Sequence, residues 1–405
     1  MNFQTSTVFD PLRVLIFNAL CPTSKLIIAK IMSGFVFGQC QLIDLSIVVY
    51  SNEIDKAEML KTEVESCAFP CMSSIKVSSD LPSISDGDVF CFITNFSNPN
   101  IFNFENGETE ERFDTLYLIT KLANNFSWPN DKSSAESEDK TGKHLPGKLK
   151  QSPNKTQKRK PIFIADGLIA VDILYSLSKN MPSDVFFCFT PLTAMAKSIL
   201  GEYLNVQCKT INEILVWAAN DEVFHIEVEK PLLIHDEVGE TSLCDSGMIG
   251  KDFLESLNLD PTQFNATWMK KDFIDKVASY GEKNPYGSIY KAAEFAKALK
   301  DIWKTRDPKN GMKTHSCNMG VISDGSLGTE KGLPYILPIN FNGEKWSVSK
   351  KYFEDNPHLK QELKRINSTA KTHHKKLITH CKKFLEENVI NQAFIPSDVD
   401  SGSVY

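Results

Sequence analysis

Arg13-Val-Leu-Ile-Phe-Asn-Ala-Leu-Cys-Pro-Thr23, followed by the apolar stretch 24–33 and then by Ile47-Val-Val-Tyr50, is the part of the sequence on which the fold turns. Residues 13–17 form a short apolar run of strand type. Leu26, Ile27, Ala29, Ile31 and Met32 fit a buried helix over 24–33, and 47–50 is a second strand. Strand, helix, strand in this order is a βαβ unit with parallel pairing. The alternation continues with a helix around 53–66, a buried strand at 88–94, and a helix at 109–126. In that helix Phe113, Leu116, Ile119, Leu122 and Phe126 recur at spacings of three and four. A strand at 161–165, a helix from about 169 and a strand at 184–189 complete the series. Strands this apolar cannot face water on one side, so the expected architecture is α/β, a doubly wound and mostly parallel sheet.

Beyond residue 190 the pattern changes to α+β. A strand is expected at 213–218, hairpins near 223–236 and 318–348, an amphipathic helix at 288–303 and a basic helix at 361–387. The 288–303 helix puts Ile289, Ala292, Ala293, Ala296, Leu299, Ile302 and Trp303 on one face. Its alanines would let another helix approach closely, which predicts self-association. Residues 127–160 interrupt the first half with Pro, Ser, Asn, Asp, Gly and Lys. They read as a disordered surface insertion, whose part 148–160 carries Lys148, Lys150, Lys155, Lys158, Arg159 and Lys160 without an acid. That basic patch is either a solvated loop or a contact for a protein partner. The domain plan is a tail at 1–10, a first domain at 11–189 containing the insertion, a second at 190–390 and a tail at 391–405.

The whole chain has 405 residues, 51 acidic against 45 basic, and a pI near 5.8, so it lacks the general positive field that nucleic acids or anionic membranes require. The expected partners therefore include no nucleic acid and no membrane. Hydrophobic residues at 41% and charged residues at 24% describe a chain that packs rather than a disordered one. Ten cysteines lie singly or inside apolar runs. The nearest pair, Cys67 and Cys71, has no second pair to complete a metal site. Reduced thiols, the absence of a secretory pattern after Met1 and the lack of long apolar runs lead to the expectation of a soluble, cytoplasmic protein with no metal.

Further motifs carry a resemblance. Gly34-Phe-Val-Phe-Gly38 before Ile47-Val-Val, then Glu63-Val-Glu-Ser-Cys-Ala-Phe-Pro70, Lys297-Ala-Leu-Lys-Asp-Ile-Trp303, Met319-Gly-Val-Ile-Ser-Asp-Gly-Ser326 and Lys345-Trp346 together resemble cytosolic-type malate dehydrogenase, within the lactate/malate dehydrogenase superfamily. The likeness runs through nearly the whole chain. It implies a Rossmann-type first domain, an α+β second domain and usually a homodimer. Fold does not carry activity, so each site position has to be read separately.

At the turn from the first strand into the first helix, a dinucleotide fold needs glycines that let the backbone reach the pyrophosphate. Here it reads Asn18-Ala-Leu-Cys21-Pro22-Thr23. The side chains of Leu20 and Cys21 take up space, and Pro22 removes an amide donor. The acid that would hold the adenosine ribose is replaced by Tyr50, and Glu53 and Asp55 instead suit the start of the next helix. The family's catalytic histidine falls at Asn220, whose amide cannot exchange a proton near neutral pH. His225 reads as an ordinary hairpin histidine. The orienting aspartate and the carboxylate-clamping arginine of the family fall at Thr193 and Pro191, which imitate neither. Of the mobile-loop arginines only Arg112 remains, among glutamates. At Asp166-Gly167 the family has Asn-Pro, so an acid would face a site meant for a carboxylate. His373, His374, His380 and Cys381 lie among lysines and read as a solvated basic face. Two functions survive this reading. One is a malate dehydrogenase-like pseudoenzyme kept as a scaffold or interaction protein, with no cofactor expected. The other is an oxidoreductase of the same family with an altered site, using NAD.

Overall fold

In a computed structural model the described residues are 10–79, 87–96, 98–102, 110–127, 160–208, 211, 214–228, 258, 268–269, 271–283, 287–306, 315–343, 345–351, 353–354 and 356–391. The first half runs β1 (Leu12–Phe17), α1 (Pro22–Met32), β2 (Ile43–Val48), α2 (Ile54–Ser66), β3 (Met72–Ser78), β4 (Val89–Phe92), α3 (Glu110–Asn125), β5 (Ile162–Ala165), α4 (Leu168–Leu177) and β6 (Phe186–Cys188). The second runs α5 (Leu192–Leu204), β7 (Ile214–Ala218), β8 (Phe224–Val228), α6 (Phe273–Lys283), α7 (Ser288–Arg306), β9 (His315–Ile322), β10 (Pro334–Asn342), β11 (Lys345–Val348) and α8 (Pro357–Asn391).

Parallel strands β3-β2-β1-β4-β5-β6 lie in the order of two mononucleotide-binding halves, with the switch point between β1 and β4. The sheet then continues through β9, β10, β7 and β8, all antiparallel to their neighbours, with β11 paired beside β10. β6 pairs directly with β9, placing Phe187 opposite Val321 and Cys188 opposite Gly320. Gly320 is required there, because a Cβ would lie 2.0 Å from the Cys188 Sγ.

The central strands are buried on both faces, as their composition demands. Register aligns phenylalanines across them: Phe17 stacks on Phe92 at 4.4 Å between ring centroids, Phe90 on Phe163 at 4.5 Å, and Phe163 meets Phe186 at 5.1 Å. This cross-strand ladder welds β1, β4, β5 and β6 from within.

Three sequence expectations change. β3 has no counterpart in the sequence reading. It is an edge strand in which only Ile75 is buried, and its extended state comes from pairing with β2, which leaves little local pattern. The alanine face of α7 is occupied within the chain: Ala292, Ala296 and Leu299 are buried in the cluster that also holds Ile27, Ile28 and Ile31 of α1. Ile289, read on that face, is instead 78% exposed. Lys160, counted in the basic insertion, is held in the structure by an ion pair to Asp184 at 2.8 Å, and its carbonyl accepts from Arg306 at 2.6 Å. Residues 128–159 lie outside the described residues, as do 1–9 and 392–405. Among the described residues no helix is long and apolar enough to cross a membrane.

Candidate functional site

The β1–α1 turn is closed by its own side chains. Asn18 takes the left-handed conformation, φ 56°, that a short polar side chain tolerates. Its carbonyl accepts from the Ser24 hydroxyl at 2.8 Å and from the Cys21 amide at 3.4 Å. Cys21 caps α1, its buried Sγ accepting the Ser24 amide at 3.4 Å, and Pro22 fills the first helical position. This arrangement does not suit a dinucleotide pyrophosphate, which needs a bare backbone and free amides, because the Cys21 amide is held by Asn18, the Ser24 amide by the Cys21 thiol, and Pro22 has none. At the end of β2, the Tyr50 hydroxyl donates to Thr115 Oγ1 on α3 at 3.3 Å, and burial raises its pKa. It offers no carboxylate to a ribose diol.

At the carboxyl ends of β4, β5 and β7 lies a compact buried polar network. Asp166 is 1% exposed, and its carboxylate accepts the Thr94 amide at 3.0 Å and the Thr94 hydroxyl at 2.9 Å. Burial raises its pKa to about 6 against the opposing pull of Lys291 and the Thr94 hydrogen bonds. Asp166 therefore turns into the protein rather than toward an open substrate site. The buried Lys291 of α7 reaches in and donates to the Phe96 carbonyl at 3.3 Å. Asn100 donates to both oxygens of Asp221, at 3.0 and 2.9 Å, while its own carbonyl oxygen accepts the Leu168 amide at 2.9 Å. Gly167 permits this collapse, since a Cβ there would lie 2.2 Å from the Pro99 carbonyl oxygen. The proline found in the family at this position would not fit.

Asn220 is 1% exposed and closes the β7–β8 turn. Its Oδ1 accepts the Glu222 amide at 2.9 Å and the Val223 amide at 2.7 Å, and its Nδ2 faces His373 Nδ1 of α8 at 3.3 Å. Thr193 is occupied elsewhere: its hydroxyl accepts from Asn318 of β9 at 2.9 Å, and the same amide group donates to the Ile214 carbonyl. Asn220 and Thr193 thus serve two different networks. Pro191 precedes α5, its carbonyl accepting from the Tyr290 hydroxyl at 2.9 Å. Arg112 lies in the first turn of α3, with its side chain outside the described residues. His225 is buried in β8 with Nε2 2.9 Å from Glu227, an ordinary strand position.

The sequence reading assigned His373, His374 and His380 to a solvated face, and the structure corrects this. All three are half-buried, with His374 Nδ1 2.8 Å from the buried Asp172 of α4 and His380 Nε2 3.2 Å from the Tyr117 hydroxyl. The signal was present in spacing: Ala370, His373, His374, Leu377 and Cys381 recur at three and four residues and face inward, while Lys371, Lys375 and Lys382 point to solvent. Among the described residues no group of three or more His, Cys, Asp or Glu could hold a metal ion, and the described cysteines are free thiols.

No protein-family model matches the chain. Malate dehydrogenase of Protochlamydia amoebophila (strain UWE25) is 25% identical over 384 residues, covering 89% of this chain and 99% of its own length. Among solved structures, malate dehydrogenase from Naegleria fowleri superposes with a TM-score of 0.64 at 12% identity, over 92% of this chain and 99% of its own. The chain is similar in sequence to malate dehydrogenase and has the fold of the lactate and malate dehydrogenases. Trichomonas vaginalis lactate dehydrogenase, solved in complex with NADH and oxamate, is similar at TM-score 0.63 and 16% identity, over 92% of this chain and 99% of its own. That fold is built here around the buried polar network of Asp166, Thr94, Asn100 and Asp221.

Proposed function

We propose that this malate dehydrogenase-like protein is a pseudoenzyme of the cytoplasm, without NAD binding or malate/oxaloacetate hydride transfer, which serves as a scaffold or interaction protein. The observation that carries this reading is Asn220. At the position of the proton-transferring imidazole stands an amide that neither gains nor loses a proton near neutral pH and whose two polar atoms are committed to Glu222, Val223 and His373. The filled β1–α1 turn supports it from the cofactor side, and Pro191, Thr193 and Asp166 from the substrate side. The homologous enzymes' habit of pairing makes a homodimer the expected assembly. Since the alanine face of α7 is taken, the exposed Leu26, Phe35 and Met59 on and around α1 and α2, and Ile289 at the start of α7, are apolar side chains open to a second copy. The basic stretch 148–160 is a handle for an acidic protein partner.

Calorimetric titration with NADH, paired with assays of malate oxidation and oxaloacetate reduction, tests this function. The expected result is no saturable heat at physiological cofactor concentration and no turnover. Micromolar NADH affinity together with turnover lost on Asn220→Ala would replace it with an altered-site oxidoreductase.

A further inference from the structure

The loop between α1 and β2 brings two cysteines together at the edge of the sheet. Gly34 (φ 82°) and Gly38 (φ 92°) fold this loop back on itself, with the Gly38 amide donating to the Gly34 carbonyl at 3.1 Å. Cys71, the residue before β3, turns its thiol into that fold: Sγ lies 3.5 Å from the Gly38 carbonyl oxygen and 3.6 Å from the Gln39 carbonyl oxygen. A Cβ at Gly34 would sit 2.9 Å from Gln39 Cα and 3.1 Å from Cys71 Sγ, so the bare glycine is what lets the two segments close up. The next residue is Cys40, exposed in the loop. Peptide geometry places its Cα about 2.8 Å from the Gln39 oxygen, and therefore no more than about 6.4 Å from Cys71 Sγ. Cys40 Sγ itself swings at about 2.8 Å from that Cα, so rotation of the Cys40 side chain with a small shift of an exposed loop brings the two sulfurs to bonding distance. The Cys71 backbone is held on both sides, its amide donating to the Met32 carbonyl at 3.3 Å and its carbonyl accepting the Ile43 amide at 2.8 Å.

We infer that Cys40 and Cys71 form a reversible disulfide when the protein meets a hydroperoxide, stapling the start of the edge strand β3 to the loop that precedes β2. The pair lies at the amino ends of β2 and β3, whereas the β1–α1 turn and the polar network around Asp166 lie at carboxyl ends, so the site is separate from the substrate and cofactor positions of the homologous enzymes. Exposed Cys40 is the attacking sulfur. Its thiolate takes the outer peroxide oxygen, the O–O bond breaks, and a sulfenic acid forms while the remaining oxygen leaves as water. Buried Cys71, whose pKa is raised by burial and by neighbouring Cys40, keeps its proton until the second step. Its sulfur then displaces the sulfenic oxygen, the S–S bond forms, and its proton leaves with that oxygen as a second water. Each sulfur gives up one electron and the peroxide takes both; a small thiol reverses the bond by exchange. The bridge closes the chain around α2 and ties down a strand in which only Ile75 is buried.

The test treats the full chain with near-stoichiometric hydrogen peroxide, alkylates the remaining thiols and maps the peptides without reduction. A linked Cys40–Cys71 peptide pair, released by dithiothreitol, is expected, and amide exchange in 72–78 should slow about tenfold or more in the oxidised protein. Cys40→Ser should abolish the linked pair, and Cys67→Ser, which removes the neighbouring exposed thiol, should leave its yield unchanged. If Cys40→Ser fails to fold by circular dichroism, the wild-type map decides alone. Full alkylation of both Cys40 and Cys71 after peroxide, a bridge made through Cys67 instead, or exchange in 72–78 that the bridge does not slow overturns the inference.

Discussion

Asn220 is a buried side chain with every polar atom in use, and its removal leaves two backbone amides and one imidazole nitrogen without their partner. Asn220→Ala should therefore destabilise the fold by about 1–3 kcal/mol, measured as a lower urea midpoint with an unchanged slope. Asp166 behaves differently because its perturbation is electrostatic. Its pKa rises from an ordinary 3.8 to about 6, chiefly through burial. The folded state then keeps a proton that the unfolded chain has released, so the stability linked to this group is fully present below about pH 4 and is lost as pH rises through about 6. Asp166→Asn removes that dependence. The difference in unfolding free energy between wild type and variant should change by on the order of 2–3 kcal/mol between about pH 4 and pH 7, in the direction that favours wild type at the acidic end.

At the turn between β5 and α4 two segments meet closely. Gly167 has φ −172°, extended backbone that any residue adopts, so only space restricts it. The Pro99 carbonyl, which also accepts the Ile169 amide, occupies that space. Gly167→Ala should cost about 1–3 kcal/mol by overpacking and should speed hydrogen exchange in 98–102, while a pure propensity effect would leave that segment protected. Elements of this kind differ in how well they announce themselves. Central strands β4 and β5 are continuous apolar runs and read easily, whereas β3, with one buried residue, exists because β2 offers it a ladder. The last helix was legible as a helix but not as a wall of the polar centre, because the groups that meet its histidines, Asp172 and Asn220, are about 200 and 150 residues away in sequence.

For the whole molecule, the ends of the insertion are pinned independently of what lies between them. Ser127 bridges to Lys179, whose amide donates to the Phe126 carbonyl, and Lys160 is held by Asp184 and Arg306. Replacing 128–159 by a short Gly-Ser linker should shift Tm by no more than about 2–4 °C, checked by differential scanning calorimetry. A larger loss would mean that the segment carries packing its composition does not suggest. Self-association is checked by light scattering, with Met59→Glu expected to shift a dimer toward monomer if the α1–α2 surface is used.

By itself the sequence determined most of the parallel α/β half, since apolar strands and periodic helices are local patterns set by burial. The tertiary structure alone decided how the buried polar side chains pair. Asn100 on Asp221, Lys291 beside Asp166, His373 on Asn220 and His374 on Asp172 join residues from distant elements, and no local spacing encodes such meetings. A buried polar atom takes whatever partner the packed chain brings within reach, and that partner is fixed only when the elements have closed on one another.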